Sequence, residues 1–184
     1  MKLAKLIIFF LTLILISTKI SYSKDPSKLI EEIVEEASLI LSSSDPVESK
    51  IIKLNNLAEI NVDIDGIAMY ALGKHRKNIS YDEKIKYFKL FKSYFLKTFS
   101  SRLVDYSDPK INIIDQNVIN ANYTIVNTKL EATSKNPEIL ISWRIYTKNP
   151  ERPLIRDLMI EELSLARAQK EEFNSIIQNN NNDI

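Results

Sequence analysis

The stretch VDIDGIAMYALGKHRKNIS (Val62–Ser80) and the run behind it, YDEKIKYFKLFKSYFLKTFSSRLVDY (Tyr81–Tyr106), decide the fold. Asp63 has the side chain of an N-cap, and Ile64, Ile67, Ala68, Ala71 and Leu72 follow at helical spacing. Gly73 falls where a left-handed residue would end that short helix. The chain has only two glycines, Gly66 and Gly73, so each is expected to have a backbone role. A basic turn, Lys74–Lys77, leads to Ser80 and Glu83, spaced as a capping box for a long helix. Tyr81, Ile85, Phe88, Phe91, Phe95, Phe99, Leu103 and Tyr106 fall on one face of it, and eight of the sixteen aromatic residues lie in Tyr81–Tyr106.

Outward from this centre, the earlier residues also read as helices. Asp25-Pro26 and Asp45-Pro46 are each an N-cap followed by proline at the first helical position. Ile30, Ile33, Val34, Ala37 and Leu41 form the stripe of the first helix, and Val47, Ile51, Leu54 and Ala58 that of the second. After Lys110 the period changes to two. Ile111–Ile114, Ala121–Ala132, Ile139–Tyr146 and Leu154–Ile160 read as four strands, separated by Asp115-Gln116-Asn117, Ser134–Pro137 and Lys148–Pro153 as turns. Such short connections require antiparallel neighbours. Ser164 caps a last helix with Leu165, Ala168, Phe173, Ile176 and Ile177 as its buried side. The fold class is α+β, with about five helices packed on a four-stranded antiparallel sheet.

The first 23 residues are expected to be a cleaved secretory signal: Lys2 and Lys5, an apolar core Leu6–Ile16, and Ser21-Tyr22-Ser23 before the cut. Residues 24–178 are expected to form a single domain and 179–184 a disordered tail. The mature chain carries 22 basic and 24 acidic residues, which gives no reason to expect nucleic acid. With no cysteine, the core alone must hold the fold. A single histidine, His75, and two glycines leave no Cys–His pair, no multi-histidine metal site and no phosphate-cradling loop. The carboxylate pairs Asp63/Asp65 and Glu161/Glu162 read as caps and turn ends, so no enzyme activity and no cofactor is expected.

Several blocks together make the sequence resemble a known family. VDxxxIAxxALG, a basic turn, an aromatic helix ending in TFSSRLVDY, the strand ILISWRIY, and IRDLMIEELSLARAQKEEFNSII resemble the MlaC family, also called toluene-tolerance proteins, over roughly residues 28–178. Three positions depart from the family pattern: Arg76 for a frequent aromatic, Glu162 for glycine, and Lys170 for arginine. The resemblance implies a periplasmic phospholipid carrier with an NTF2-like cavity between helices and sheet, serving an ABC-type lipid transport system. It implies three partners: a phospholipid ligand, an outer-membrane lipoprotein complex, and an inner-membrane ABC transporter with an MCE-type subunit.

On spacing alone the aromatic face reads as packed core; the resemblance turns it into a lipid-cavity wall. The expected lining is Phe91, Phe95 and Phe99 from the helix, with Tyr123, Ile125, Ile141, Trp143 and Ile145 from strands. Which sheet face is inward stays open. Lys74, Arg76 and Lys77 are either partner-docking cations or a solvated turn. The rival function is a fully packed α+β interaction module, tethered by an uncleaved N-terminus.

Overall fold

The structure, a computed structural model, describes residues 23–105, 109–132 and 137–180. The expected signal segment before Ser23, Tyr106 on the aromatic face, and tail residues 181–184 lie outside them. Helices α1 (Pro26–Ser42), α2 (Val47–Asn61), α3 (Ile64–Ala71), α4 (Tyr81–Leu103) and α5 (Leu165–Asn179) accompany strands β1 (Ile111–Asn120), β2 (Tyr123–Leu130), β3 (Ile139–Tyr146), β4 (Leu154–Ile160) and β5 (Leu163–Ser164). The strands form one antiparallel sheet in sequence order, so the architecture is α+β with five helices on five strands.

Local chemistry explains most of the helix starts. Asp25 accepts from Ser27 N at 2.8 Å with Pro26 opening α1. Ser80 and Glu83 close a reciprocal capping box, with Ser80 N donating to Glu83 Oε2 at 2.8 Å and Glu83 N to Ser80 Oγ at 3.3 Å. Ser164 caps α5 through Arg167 N at 3.0 Å. Asp45 does not repeat the pattern. Its carboxylate goes to Lys53 Nζ at 2.6 Å, which holds its pKa below the usual range, and α2 starts without a side-chain cap.

Both glycines have an assignable reason. Gly73 has φ +54° directly after α3, a conformation that costs any residue with a Cβ. Gly66 is needed for space: a Cβ there would lie 2.8 Å from Arg156 Nε and closer still to the Asp63 carboxylate. Between Gly73 and α4 the chain makes a 3₁₀ turn, Gly73–Lys77. His75 is buried there with Nε2 3.3 Å from Asn174 Oδ1 on α5, while Lys74, Arg76 and Lys77 are exposed.

Three expectations need correction. Asp115-Gln116-Asn117 is strand, not turn: β1 runs on to Asn120 and the reversal is Ala121-Asn122. Asp115 keeps its place in the ladder because Asn127 Nδ2 on β2 donates to it at 2.6 Å and Asn117 Nδ2 at 3.0 Å. Second, α4 makes its main contacts with α2 and α3 rather than with the sheet. Tyr81 and Ile85 at its start are 77 % and 52 % exposed, so the buried face begins only at Tyr87 and Phe88. Third, α5 buries Ala166 and Ile177 with Phe173 half-buried, leaving Leu165, Ala168 and Ile176 outside.

The core has three parts. Ile64, Ile67, Ala68 and Ala71 of α3 meet Phe91 and Leu96 of α4 and Ala166 of α5. Leu29 and Ile30 of α1 cover Val126, Trp143, Ile145 and Ile155 on one face of the sheet. Ile40 and Leu41 of α1 join Leu54 and Leu57 of α2.

The β4–β5 turn holds backbone strain. Glu161 and Glu162 have φ of +47° and +67°, the signature of a two-residue turn that favours Asn-Gly. Glu161 has compensation, since its Oε1 accepts from Leu140 N at 2.8 Å. Glu162→Gly is therefore expected to raise the unfolding free energy by about 1 kcal/mol. A thermal melt tests this; an unchanged or lower Tm would show the strain to be absent.

Candidate functional site

The register of the sheet sorts its side chains. Thr124 pairs with Ile145, Val126 with Trp143, and Ile125 with Arg144. Directly opposed residues share a face and neighbours alternate. One face therefore presents Val126, Trp143 and Ile145 to α1. The other presents Tyr123, Ile125 and Arg144 to an open cavity. On β4 the ladder slips between Arg144 and Ile145, which oppose Asp157 and Ile155, leaving Arg156 as the extra residue of a bulge. The bulge puts two consecutive side chains, Arg156 and Asp157, on the cavity side.

The cavity holds about 730 Å³ between this sheet face and the helices. Tyr123 and Ile125 form its floor; Ile67, Met69 and Tyr70 of α3, Phe88 of α4, Ala166 of α5 and Ile119 of β1 add apolar wall. Asp63, Asp65, Arg76, Arg144, Arg156, Asp157 and Asn120 supply its polar groups, and Gly66 completes the lining.

Arg156 is held on three sides. Its Nε donates to Asp63 Oδ2 at 2.5 Å, its Nη1 donates to the Tyr123 hydroxyl at 2.8 Å, and its guanidinium lies 3.6 Å from the Tyr146 ring centroid. Asp63 also caps α3 through Gly66 N at 2.9 Å, and its own N–H donates to Ile155 O at 2.9 Å. This clasp ties the α2–α3 junction to β4. Asp157 makes a second tie, accepting from Ala166 N at 3.0 Å and from the Ser164 hydroxyl at 2.6 Å. The α3–α4 contact is fixed by Tyr87, whose hydroxyl donates to Ala68 O at 2.9 Å; burial pushes its pKa up, so it stays a donor.

Of the eight residues expected to line a lipid cavity, Tyr123 and Ile125 are placed in the wall of the cavity described above. Ile141, Trp143 and Ile145 project from the opposite face: Trp143 and Ile145 are buried under α1, Ile141 packs beside them, and Trp143 Nε1 donates to Thr128 Oγ1 at 2.8 Å. Phe91, Phe95 and Phe99 form a ladder of rings, Phe95 on Phe99 at 6.0 Å, with Phe173 edge-on to Phe91 at 5.7 Å. That ladder packs the α3–α4–α5 core, and Phe88, one turn earlier, is the α4 residue in the cavity. Of the three cations expected at a docking surface, Arg76 lines the cavity. Sequence reading passed over Arg144 and Arg156, although a charge inside the apolar strand ILISWRIY was a visible signal.

Among the described residues no group of His, Cys, Asp or Glu is placed to hold a metal, and no helix is long and apolar enough to cross a membrane.

The model of the MlaC protein family matches residues 27–184. The chain belongs to the MlaC family. No curated protein matches the sequence. Among solved structures, this MlaC-family chain is similar to the phospholipid-binding protein from Ralstonia solanacearum, determined in complex with a phospholipid. The TM-score is 0.73 at 14 % identity, covering 86 % of this chain and 90 % of that one. At that identity the likeness shows a shared fold, and it extends over most of both chains.

Proposed function

We propose that the protein is a phospholipid carrier that takes acyl chains into the cavity between the sheet and α3, α4 and α5. The observation that carries this reading is the cavity itself, about 730 Å³ with apolar wall on several sides and charged groups among them. That size is typical of small-ligand sites. Membership of the MlaC family and the phospholipid in the Ralstonia protein support the same ligand class.

Exposing lipid tails to water costs about 0.8 kcal/mol per methylene, so some thirty methylenes cost on the order of 20 kcal/mol. A carrier removes that barrier by enclosure and needs no reacting group. In our reading the mature protein, cleaved after Ser23, works in the periplasm between the outer and inner membranes. It would exchange lipid with an outer-membrane lipoprotein complex and with an inner-membrane ABC transporter bearing an MCE-type subunit. Exposed Lys74 and Lys77 are the docking cations in that scheme.

Ile125→Trp tests the cavity. Its side chain is half-buried on the cavity floor, so added volume goes into free space. Lipid co-purifying with the protein, read by native mass spectrometry, should fall severalfold while Tm stays within a few degrees. A close-packed site would instead lose about 1–3 kcal/mol from overpacking. Lipid-free wild-type protein from a lipid-rich envelope would favour a packed interaction module.

A further inference from the structure

The cavity holds more hydrogen-bond donors than its packing uses. Arg156 has five N–H groups and spends two of them, Nε–H on Asp63 and one Nη1–H on Tyr123. Arg156 lines the cavity, and its Nη2 has no hydrogen-bond partner among the described residues and is not one of the buried unpartnered atoms, so it stays accessible. Arg144 stands opposite Asp157 across the bulge, beside Arg156, yet it makes no ion pair among the described residues, and neither does Arg76. Of the three lining aspartates, Asp65 makes no ion pair among the described residues and the other two are committed elsewhere. Asp63 serves Arg156 and the α3 cap, and both Asp157 oxygens serve the start of α5.

Guanidinium groups present parallel N–H donors that match two oxygens of one phosphate. We propose that Arg144 and Arg76, with Nη2 of Arg156, form the seat for the phosphodiester of the carried lipid. This rests on the lipid-carrier reading above and adds a chemical requirement to it. Three arginines and three aspartates line the cavity, so their formal charges cancel. The seat therefore recognises phosphate oxygens through directed donors rather than through bulk attraction. It should accept zwitterionic and anionic phospholipids alike and discriminate against diacylglycerol, which has the same tails and no phosphate.

Delipidated mature protein is incubated with vesicles of phosphatidylethanolamine, phosphatidylglycerol and diacylglycerol with matched chains, and bound lipids are counted by native mass spectrometry. Relative to vesicle composition, the wild type should take either phospholipid over diacylglycerol by about tenfold or more, the worth of one charge-assisted hydrogen bond. The double variant Arg144→Gln/Arg76→Gln should lose most of that preference with an unchanged melt, because both side chains are exposed. Arg144→Lys, which keeps the charge without the fork, should fall between. Uptake of all three lipids in vesicle proportions by the wild type, or full preference in the double variant, overturns the seat and leaves the carrier standing. Failure to take up any lipid overturns the carrier reading instead. Titration with inorganic phosphate separates the two sources of the anion. Saturation at micromolar concentration would make this a free-anion site and also overturn the proposal.

Discussion

Trp143→Ala is expected to lower the unfolding free energy by about 3–5 kcal/mol, the usual cost of truncating a buried large aromatic residue. The indole is 9 % exposed, lies among Leu29, Ile30, Val126 and Ile145, and donates to Thr128. Truncation would open a void under α1 and remove the indole N–H that Thr128 Oγ1 accepts. For a domain of this size Tm should fall by roughly 10 °C. Lipid bound per folded molecule should hardly change, because the side chain is on the sheet face away from the cavity. A variant that melts normally but loses its lipid would return Trp143 to the cavity wall and contradict the register.

Arg156→Ala should be the most damaging change on the cavity side, at about 2–4 kcal/mol. The side chains of Arg156 and Asp63 are only 29 % and 17 % exposed, so the pair is shielded from the screening that weakens surface ion pairs. Removing the guanidinium also leaves the Tyr123 hydroxyl without its donor and takes the cation off the Tyr146 ring. Asp63→Asn keeps an acceptor for Gly66 N–H while losing the charge. A double-mutant cycle should therefore give a coupling energy of about 1–3 kcal/mol between the two. Additive effects would mean that the pair is a bystander rather than the tie between the α2–α3 junction and β4.

What the sequence revealed and what it hid differ by range of interaction. Asp25, Ser80 with Glu83, and Ser164 act on backbone within three residues, so their spacing is enough to place helix starts. The aromatic run of α4 likewise gave its length. Asp45 failed because its carboxylate was claimed by Lys53, a competition that a local pattern does not register. The cavity failed for a stronger reason. Odd-numbered residues on β2 oppose even-numbered ones on β3, so Tyr123 and Ile125 share a face with Arg144 and not with Trp143. That pairing depends on how two strands slide past each other. The bulge at Arg156 depends on it again, and with it the placement of two charges on one side. Glycine gave half of its meaning in advance: Gly73 by position after a helix, whereas the demand at Gly66 comes from the Asp63 carboxylate together with its partner Arg156, ninety residues away.

The outermost strand bears on behaviour in a crowded compartment. β1 has only β2 as a partner, and its residues from Asn112 to Asn120 are exposed, with Val118 77 % open. A straight apolar margin of that length would offer hydrogen-bonding groups to any other chain and invite growth into fibrils. Here the ladder is broken at two places, between Ile113 and Asp115 and between Val118 and Asn120. Asp115, Asn117 and Asn120 interrupt its apolar residues. The kinks turn the margin away from a straight template and the polar side chains keep it wet, so the open edge is guarded without closing the sheet into a barrel.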